Sequence, residues 1–203
     1  DLNGRRQYTL RFRDLDGGAT LPDEIPGTSG SMVWADDGRS LYYIENDPQT
    51  LLGRWVKRHV IGTPVADDVL VYEEADESFY IGLYRSRDDR FVCLAIGSTV
   101  TSELRFLAAS DPTATGFDIL APRERGIEYG ADHHDGRWVI RTNAPLPDGS
   151  PARNFRLALA ATDARDRAAW QDWIGPREDV FIEGIDLFDG FSAIGERSDG
   201  RSE

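Results

Sequence analysis

The sequence is poor in sulfur and imidazole, with one cysteine, one methionine and three histidines among 203 residues. A single cysteine, Cys93, excludes an internal disulfide framework and a cysteine-rich zinc site. No apolar run approaches the roughly 18 residues of a membrane-spanning helix, so we expect no membrane segment. Basic residues number 23 against 36 acidic ones, and the formal net charge is −13. This charge disfavours nucleic acid as a partner and suits cationic partners.

What is present indicates a folded domain from a longer protein. Five Trp, seven Tyr and nine Phe argue against disorder. The first residue is Asp1 rather than Met, no signal peptide follows it, and residues 197–203 have the composition of a turn. We therefore expect a piece of a longer protein, with its chemistry elsewhere. Because no targeting signal is visible, a cytoplasmic location is the simplest expectation.

Alternation of apolar and polar residues with a period of two dominates the sequence. Within 7–13, Tyr8, Leu10 and Phe12 face one way and the polar residues face the other, which predicts a half-buried strand. A Gly17-Gly18 turn and a proline-rich loop at 22–26 are expected next. Further strands are predicted at about 31–35, 40–45, 54–60, 69–73, 79–86, 90–97, 102–108, 117–120, 127–132, 137–142, 154–160, 170–174, 180–187 and 191–197. Only 162–173 has the composition of a helical turn, capped by Thr162 or Asp163.

A motif of strand, acidic turn and apolar strand recurs along the chain. It occurs at Ala35–Ile44, Ser86–Ala95, Asp132–Ile140 and Leu187–Ile194. The turn positions that we take as equivalent are Gly38, Arg90, Gly136 and Gly190. Four short strands per roughly 46–54 residues are typical of the blades of a β-propeller. A β-sandwich would have strands but no such long period.

The sequence therefore predicts an all-β fold, a β-propeller fragment with about three full four-stranded blades and two partial ones. We assign 1–20 to the end of a blade, 21–77, 78–123 and 124–176 to successive blades, and 177–203 to the start of another. An open arc of blades leaves strand edges unpaired, so we expect the isolated chain to self-associate.

Few residues have the spacing that catalysis or metal binding needs. A serine hydrolase elbow requires Gly-x-Ser-x-Gly, whereas 27–31 reads Gly-Thr-Ser-Gly-Ser, which favours a polar loop around Ser29 and Ser31. His133 and His134 stand between two aspartates, but neighbours on a strand face opposite sides, so a solvated turn is favoured over a metal site. His59 is expected to be a structural imidazole. We predict no metal and no cofactor.

Two charged clusters are candidate contact sites. Glu73 and Glu74 belong to an acidic run, which favours a solvated loop at a blade junction and leaves attraction of basic peptides as the alternative. Arg5 and Arg6 precede a strand, and such arginines form structural ion pairs or bind a carboxylate with two hydrogen bonds. We name these four residues as candidate contacts with substrate or with another domain.

The order of many short motifs resembles the propeller domain of oligopeptidase B, also called protease II, in the prolyl oligopeptidase family of serine peptidases. The motifs run from end to end of the chain, and their order and spacing make the resemblance specific. They are Asp1–Leu15, Val33–Ala35, Asp47–Pro48, Thr50–Leu52, Arg58–His59, Gly62–Pro64, Leu70–Glu74, Phe79–Tyr80, Thr101–Glu103, Pro122–Arg123, Glu128–Tyr129, Asn154–Phe155 and Pro176–Glu178.

The resemblance implies a seven-bladed propeller that caps an α/β-hydrolase domain and admits only small peptides. Such enzymes cleave short peptides after Arg or Lys. The Ser, Asp and His triad lies in the hydrolase domain, which is absent from these residues, so no catalytic residue is expected here and the chain alone should be inactive. The implied partners are short basic peptides and the hydrolase domain.

Two other functions stay open at this point. The first is a non-enzymatic propeller that serves as a protein-binding scaffold. The second is a glycosidase propeller, which would need two inward carboxyl groups roughly 5–10 Å apart.

Overall fold

The computed structural model describes residues 4–202, so the first three residues of the Asp1–Leu15 motif lie outside the described part. Within that part the fold is all-β, as predicted. The strands are β1 Tyr8–Arg13, β2 Thr20–Trp34, β3 Ser40–Asn46, β4 Gly53–Val60, β5 Val69–Glu73, β6 Tyr80–Arg85, β7 Phe91–Gly97, β8 Ser102–Ala108, β9 Asp118–Ile119, β10 Tyr129–His134, β11 Arg137–Thr142, β12 Arg156–Ala161, β13 Gln171–Ile174, β14 Val180–Phe188, β15 Phe191–Ser198 and β16 Arg201–Ser202.

The strands form four sheets in which sequence neighbours are also neighbours in space. The sheets are β1 to β5, β6 to β9, β10 to β13 and β14 to β16. The gaps between them fall at 74–79, 120–128 and 175–179. The proposed limits at 77, 123 and 176 lie within these gaps, whereas the limit at 20 falls inside β2 of the first sheet. The division into blades stays a prediction.

β2 occupies the segment for which we expected a proline-rich loop, and that expectation was wrong. β2 runs without interruption from Thr20 to Trp34. Pro22 and Pro26 fit because neither is one of the residues paired with β1, whose register shifts on both sides of the Ile25 pair. A proline at a bulge removes no hydrogen bond from the ladder, so it does not end the strand.

β2 changes partner near its middle. Its first part pairs with β1, from Thr20 opposite Arg13 to Thr28 opposite Tyr8. Its second part pairs with β3, beginning with the same Thr28. Gly27 and Gly30 flank this buried threonine with φ values of 70° and 86°. Backbone of this kind favours glycine, so the two glycines permit the bend between the two ladders.

The acidic turns adopt left-handed backbone, with one correction to their alignment. Asp135 and Gly136 have φ values of 51° and 73°, as a two-residue hairpin turn of type I′ requires. Asp199 and Gly200 form a similar turn between β15 and β16. In the second repeat the left-handed residue is Asp89, with φ 57°, and not Arg90. Aspartate tolerates this conformation better than arginine does.

Helical structure is limited, within the described residues, to two 3-10 turns, Val65–Asp67 and Arg167–Ala169. The second lies where a helical turn was expected, but its cap is Asp166 and not Thr162 or Asp163. The Asp166 carboxylate accepts a hydrogen bond from the Ala168 N–H at 2.8 Å. A short polar side chain at this position satisfies an N–H that has no partner within the turn.

The chain divides into two compact units. The first comprises the described parts of Asp1–Arg85, Asp89–Ile96 and Arg105–Asp118, and the second those of Ser86–Asp88, Gly97–Leu104 and Ile119–Glu203. In the first unit, apolar side chains of β2 to β5 pack against β7 and β8, with Tyr42, Ile44 and Leu94 fully buried. In the second unit, Leu157 and Ile182 anchor a smaller core between β12 and β14. Cys93 is buried.

Candidate functional site

The two serines of the 27–31 segment lie in strand β2 and not in the polar loop that we expected. The Ser31 hydroxyl accepts a hydrogen bond from the Leu83 N–H at 2.9 Å and faces the Leu83 carbonyl at 3.5 Å. The Ser29 hydroxyl accepts one from the Ser31 N–H at 3.2 Å. Ser31 therefore joins β2 to β6. Within residues 4–202, neither serine makes a hydrogen bond to an imidazole. Neither therefore has the general base that a nucleophilic serine needs.

His59 is a structural imidazole, as expected. Its ring is fully buried, with Nδ1 2.7 Å from Asp68 Oδ1 and Nε2 3.1 Å from Asp23 Oδ1. The Tyr43 hydroxyl donates to the second Asp68 oxygen at 2.8 Å. Asp23 also accepts the Gly62 N–H at 2.6 Å, and this bond, with that of His59, holds the pKa of the Asp23 carboxyl below its usual value. The network connects β2, β3, β4 and the start of β5.

His133 is buried in β10, so the expectation that both neighbouring histidines lie in a solvated turn was wrong for this residue. Its Nδ1 lies 2.6 Å from Asp88 Oδ2, and its Nε2 lies 2.8 Å from Thr162 Oγ1. Its ring packs edge-on against Trp138 at 4.9 Å. The turn consists of the two residues after His134. Within residues 4–202, no group of three or more His, Cys, Asp or Glu side chains could hold a metal ion.

The acidic run at the end of β5 is only partly a solvated loop. Glu73 pairs with Arg54, whose Nε and Nη2 both lie 3.0 Å from one carboxylate oxygen. Glu74 is buried, so the expectation was wrong for this residue. Its carboxylate accepts hydrogen bonds from the Tyr72 hydroxyl at 2.8 Å and the Asp76 N–H at 3.0 Å. These internal bonds form because the carboxylate is buried among donors that satisfy it.

Arg5 and Arg6 are exposed and precede β1. Arg6 has a left-handed backbone, with φ 56°. The four candidate contacts thus differ in environment, since the two arginines and Glu73 are exposed and Glu74 is buried. A role for any of them in binding substrate or another domain stays a prediction.

Within each unit, the first strand of a sheet makes hydrogen bonds to the sheet before it. In the first unit, β6 receives the Ser31 bond and returns one from Arg85 Nη1 to the Trp34 carbonyl at 2.7 Å. In the second unit, Arg141 Nε on β11 donates to the Ile182 carbonyl on β14 at 2.7 Å. The Arg141 guanidinium also lies 3.5 Å from the centre of the Phe155 ring. These bonds connect consecutive sheets through the first strand of the later sheet.

An apolar groove of about 450 Å³ lies in the second unit. Its walls include Trp173, Val139 and the stacked rings of Phe188 and Phe191, whose centroids are 4.7 Å apart. Three titratable side chains, His134, Asp135 and Arg137, line the groove beside these apolar residues.

The whole chain matches a known domain. The model of the prolyl oligopeptidase N-terminal β-propeller domain covers residues 1–203. The chain belongs to the prolyl oligopeptidase family. This assignment confirms both the propeller fold predicted from the repeats and the resemblance to the family. Four antiparallel sheets whose strands follow sequence order agree with this assignment.

Similar proteins support the same assignment. Dipeptidyl aminopeptidase BI of Pseudoxanthomonas mexicana is 54% identical over 198 residues, which cover 98% of this chain and 26% of that protein. Protease 2 of Moraxella lacunata is 30% identical over 76% of this chain and 22% of its own length. The chain thus spans about a quarter of the curated relatives that it matches.

Two solved structures resemble the fold along its entire length. Oligopeptidase B from Leishmania major has a TM-score of 0.90 at 30% identity, covering 100% of this chain and 28% of that one. Oligopeptidase B from Trypanosoma brucei, in a closed form with covalently bound antipain, has a TM-score of 0.84 at 26% identity and covers 100% and 27%. Among residues 4–202, no helix has the length and apolar character needed to cross a membrane.

Proposed function

We propose that this chain is the gating and filtering region of a serine peptidase of the oligopeptidase B type, which hydrolyses short peptides after Arg or Lys. The observation that carries the proposal is the match of the whole chain to the family propeller, with a TM-score of 0.90 to an oligopeptidase B. A propeller that covers an active site limits the substrates to peptides small enough to reach that site. The cytoplasmic location expected from the sequence belongs to this proposal.

In this proposal the hydrolase domain supplies the chemistry and packs against the propeller. A serine attacks the peptide carbonyl to form an acyl-enzyme, which water then hydrolyses. The propeller excludes large substrates and guides short peptides to the active site. Ser29 and Ser31, in the second half of β2, bond to neighbouring main chain, which supports placing the nucleophile elsewhere.

The acidic character of the chain supports a preference for basic substrates. With a net charge of −13, the surface raises the local concentration of cationic peptides. Arg5, Arg6 and Glu73 are exposed, and we propose that they contact substrate or the hydrolase domain. Glu74 is buried and would act by holding the β5–β6 connection.

A second activity is favoured by the relative at 54% identity, which is named a dipeptidyl aminopeptidase. An enzyme of that class releases dipeptides from a free amino terminus, whereas an endopeptidase also cleaves peptides whose amino terminus is blocked. Both would use the propeller to limit substrate size.

The test is a peptidase assay of the full-length protein beside this chain alone. The substrates are two fluorogenic dibasic peptides that differ only in a free or blocked amino terminus. Cleavage of both after Arg by the full-length protein supports the endopeptidase, and cleavage of the free peptide alone supports the aminopeptidase. If neither is cleaved, the non-enzymatic scaffold is favoured. Activity of the chain alone would contradict the proposal, and Ser29→Ala and Ser31→Ala would then be the first variants to make.

A further inference from the structure

A polar pocket of about 690 Å³ lies in the second unit, between two chain connections. The first connection, residues 143–155, joins β11 to β12, and the second, residues 175–179, joins β13 to β14. Because these strands are consecutive and antiparallel, both connections leave the same end of the sheet. The volume is in the range of pockets that hold small ligands. The lining residues include Pro151, Arg153, Asn154, Pro176, Arg177 and Glu178.

Hydrogen bonds hold both connections in place. The side-chain amide of Asn154 donates to the Arg177 carbonyl at 3.0 Å and to the Glu178 carbonyl at 2.7 Å, so it ties the first connection to the second. Arg156 Nε donates to the Ala144 carbonyl at 3.0 Å and fixes the beginning of the first connection. A proline in each connection restricts the backbone further. A pocket formed in this way loses little conformational entropy when a ligand binds.

Two opposite charges in the polar pocket lack a partner of their own. Arg177 is paired with Glu196 of β15. Arg153 and Glu178 are exposed, and within residues 4–202 neither side chain makes an ion pair or a hydrogen bond. Asn154 uses both of its amide N–H groups on the second connection, so its Oδ1 remains as an acceptor. The pocket therefore offers a guanidinium, a carboxylate and an amide oxygen.

The ligand that complements these three groups carries a carboxylate, a cation and an N–H donor. A short basic peptide with a free carboxyl terminus has all three. Its carboxylate would accept two parallel hydrogen bonds from Arg153, and its basic side chain would pair with Glu178. A simple anion is disfavoured by Glu178 and by the net charge of −13, and a simple cation by Arg153.

We propose that the polar pocket binds the carboxyl-terminal end of a short basic peptide, with Arg153 recognising the carboxylate and Glu178 the basic side chain. The inference rests on the proposed function, because a peptidase of that type encounters peptides that contain Arg or Lys. It adds to that function a site that selects peptides by their free carboxyl terminus.

The test is isothermal titration calorimetry on the full-length protein, after a covalent serine-directed inhibitor has blocked cleavage. The probe is the peptide Ala-Lys-Ala with a free carboxylate. It is compared with the same peptide as a carboxyl-terminal amide and with the peptide in which norleucine replaces lysine. The wild-type protein should bind the probe about tenfold more tightly than either comparison peptide, since each lacks one charge-assisted hydrogen bond.

Two variants separate the two charges. Arg153→Ala should raise the Kd of the probe about tenfold and remove the difference between acid and amide. Glu178→Gln should remove the difference between lysine and norleucine and retain the difference between acid and amide. The matched control is Arg125→Ala, because Arg125 is also an exposed arginine of the second unit and does not line the pocket. It should leave all three binding constants unchanged.

Three results would overturn the inference. They are no binding of the probe by the inhibited wild-type protein, equal binding of acid and amide, and an equal loss of affinity in Arg125→Ala and Arg153→Ala, which would indicate an effect of overall charge. Failure of the proposed function is seen separately, in the assay of the uninhibited protein for cleavage after a basic residue. A protein that binds the probe as expected but cleaves no basic peptide would retain the pocket and contradict the proposed function.

Discussion

Two of the three histidines are interior residues that bond through both ring nitrogens. His59 faces a carboxylate on each side, and His133 faces a carboxylate and a hydroxyl. Buried carboxylates without donors are strongly destabilising, so each imidazole has a structural role that depends on its hydrogen bonds. The third histidine, His134, lies beside a hairpin turn and borders the apolar groove.

Removal of the His59 ring should destabilise the chain markedly. His59→Ala leaves Asp23 and Asp68 buried without the imidazole that lies between them, and we expect the free energy of unfolding to fall by about 3 kcal/mol. Urea unfolding followed by tryptophan fluorescence measures this change. The control, His134→Ala, should lower it by less than about 1 kcal/mol. Equal effects of the two variants would contradict the structural role of the network.

Acid should destabilise the chain through aspartates whose native pKa is low. Main-chain N–H groups of Gln49 and Thr50 lower the pKa of Asp47, and the N–H and hydroxyl of Ser150 lower that of Asp148. The Gly62 N–H likewise lowers the pKa of Asp23. Below the ordinary pKa the unfolded chain binds more protons than the native one, so this stability is present above about pH 4 and lost as the pH falls further.

The measurement is the urea midpoint as a function of pH. It should stay level near neutrality and decrease below about pH 4. Burial raises the pKa of Asp132, which contributes in the opposite sense and offsets part of the decrease. Asp47→Asn removes one titrating group and should make the decrease shallower. A midpoint that rises with acid would contradict the assignment.

At the scale of the element, β2 is one strand that pairs with two different neighbours. Its first part pairs with β1 and its second part with β3, and the change occurs at Thr28 between two left-handed glycines. Prolines are tolerated because they fall where the register shifts. The bend thus depends on glycine backbone freedom more than on side-chain packing.

Gly30→Ala should therefore weaken the junction within β2. Gly30 has φ 86°, and a Cβ atom there would lie 3.2 Å from the Tyr8 ring. Left-handed backbone costs a residue with a side chain about 1–2 kcal/mol, so we expect a loss of that size in the free energy of unfolding. Gly175→Ala, at an open position with ordinary backbone, should change it by less than about 0.5 kcal/mol in the same urea titration. If both substitutions change the free energy of unfolding by similarly small amounts, the bend tolerates a side chain and the prediction is wrong.

At the scale of the whole molecule, the chain exposes several aromatic side chains. Tyr80 is 69% exposed, Phe191 63% and Tyr8 38%. Large exposed apolar residues near strand edges promote association between copies. The relatives that this chain matches are about four times longer than the chain itself.

The isolated chain should consequently self-associate. Sedimentation velocity should show a sedimentation coefficient that increases with concentration, and Phe191→Ser combined with Tyr80→Ser should reduce this increase. The full-length protein is the control, and the two substitutions should not change the concentration dependence of its sedimentation coefficient in the same way. A chain that sediments as a monomer at every concentration would contradict the prediction.

The sequence by itself determined the features that depend on neighbouring residues. The alternation of Tyr8, Leu10 and Phe12 predicts β1 because side chains on a strand alternate between its faces. Acidic turns such as Asp135-Gly136 mark hairpins because their residues accept left-handed backbone. The repeat of these two signals was sufficient to predict a propeller, and the family match confirms it.

Only the tertiary structure decided the features that depend on distant residues. Asp23 meets His59 across 36 positions, and Ser31 meets Leu83 across 52. Nothing local distinguishes buried Glu74 from exposed Glu73, or shows that Pro22 falls between paired residues of a strand. Local patterns fix backbone preference, whereas burial and partnership depend on which strands the fold brings together.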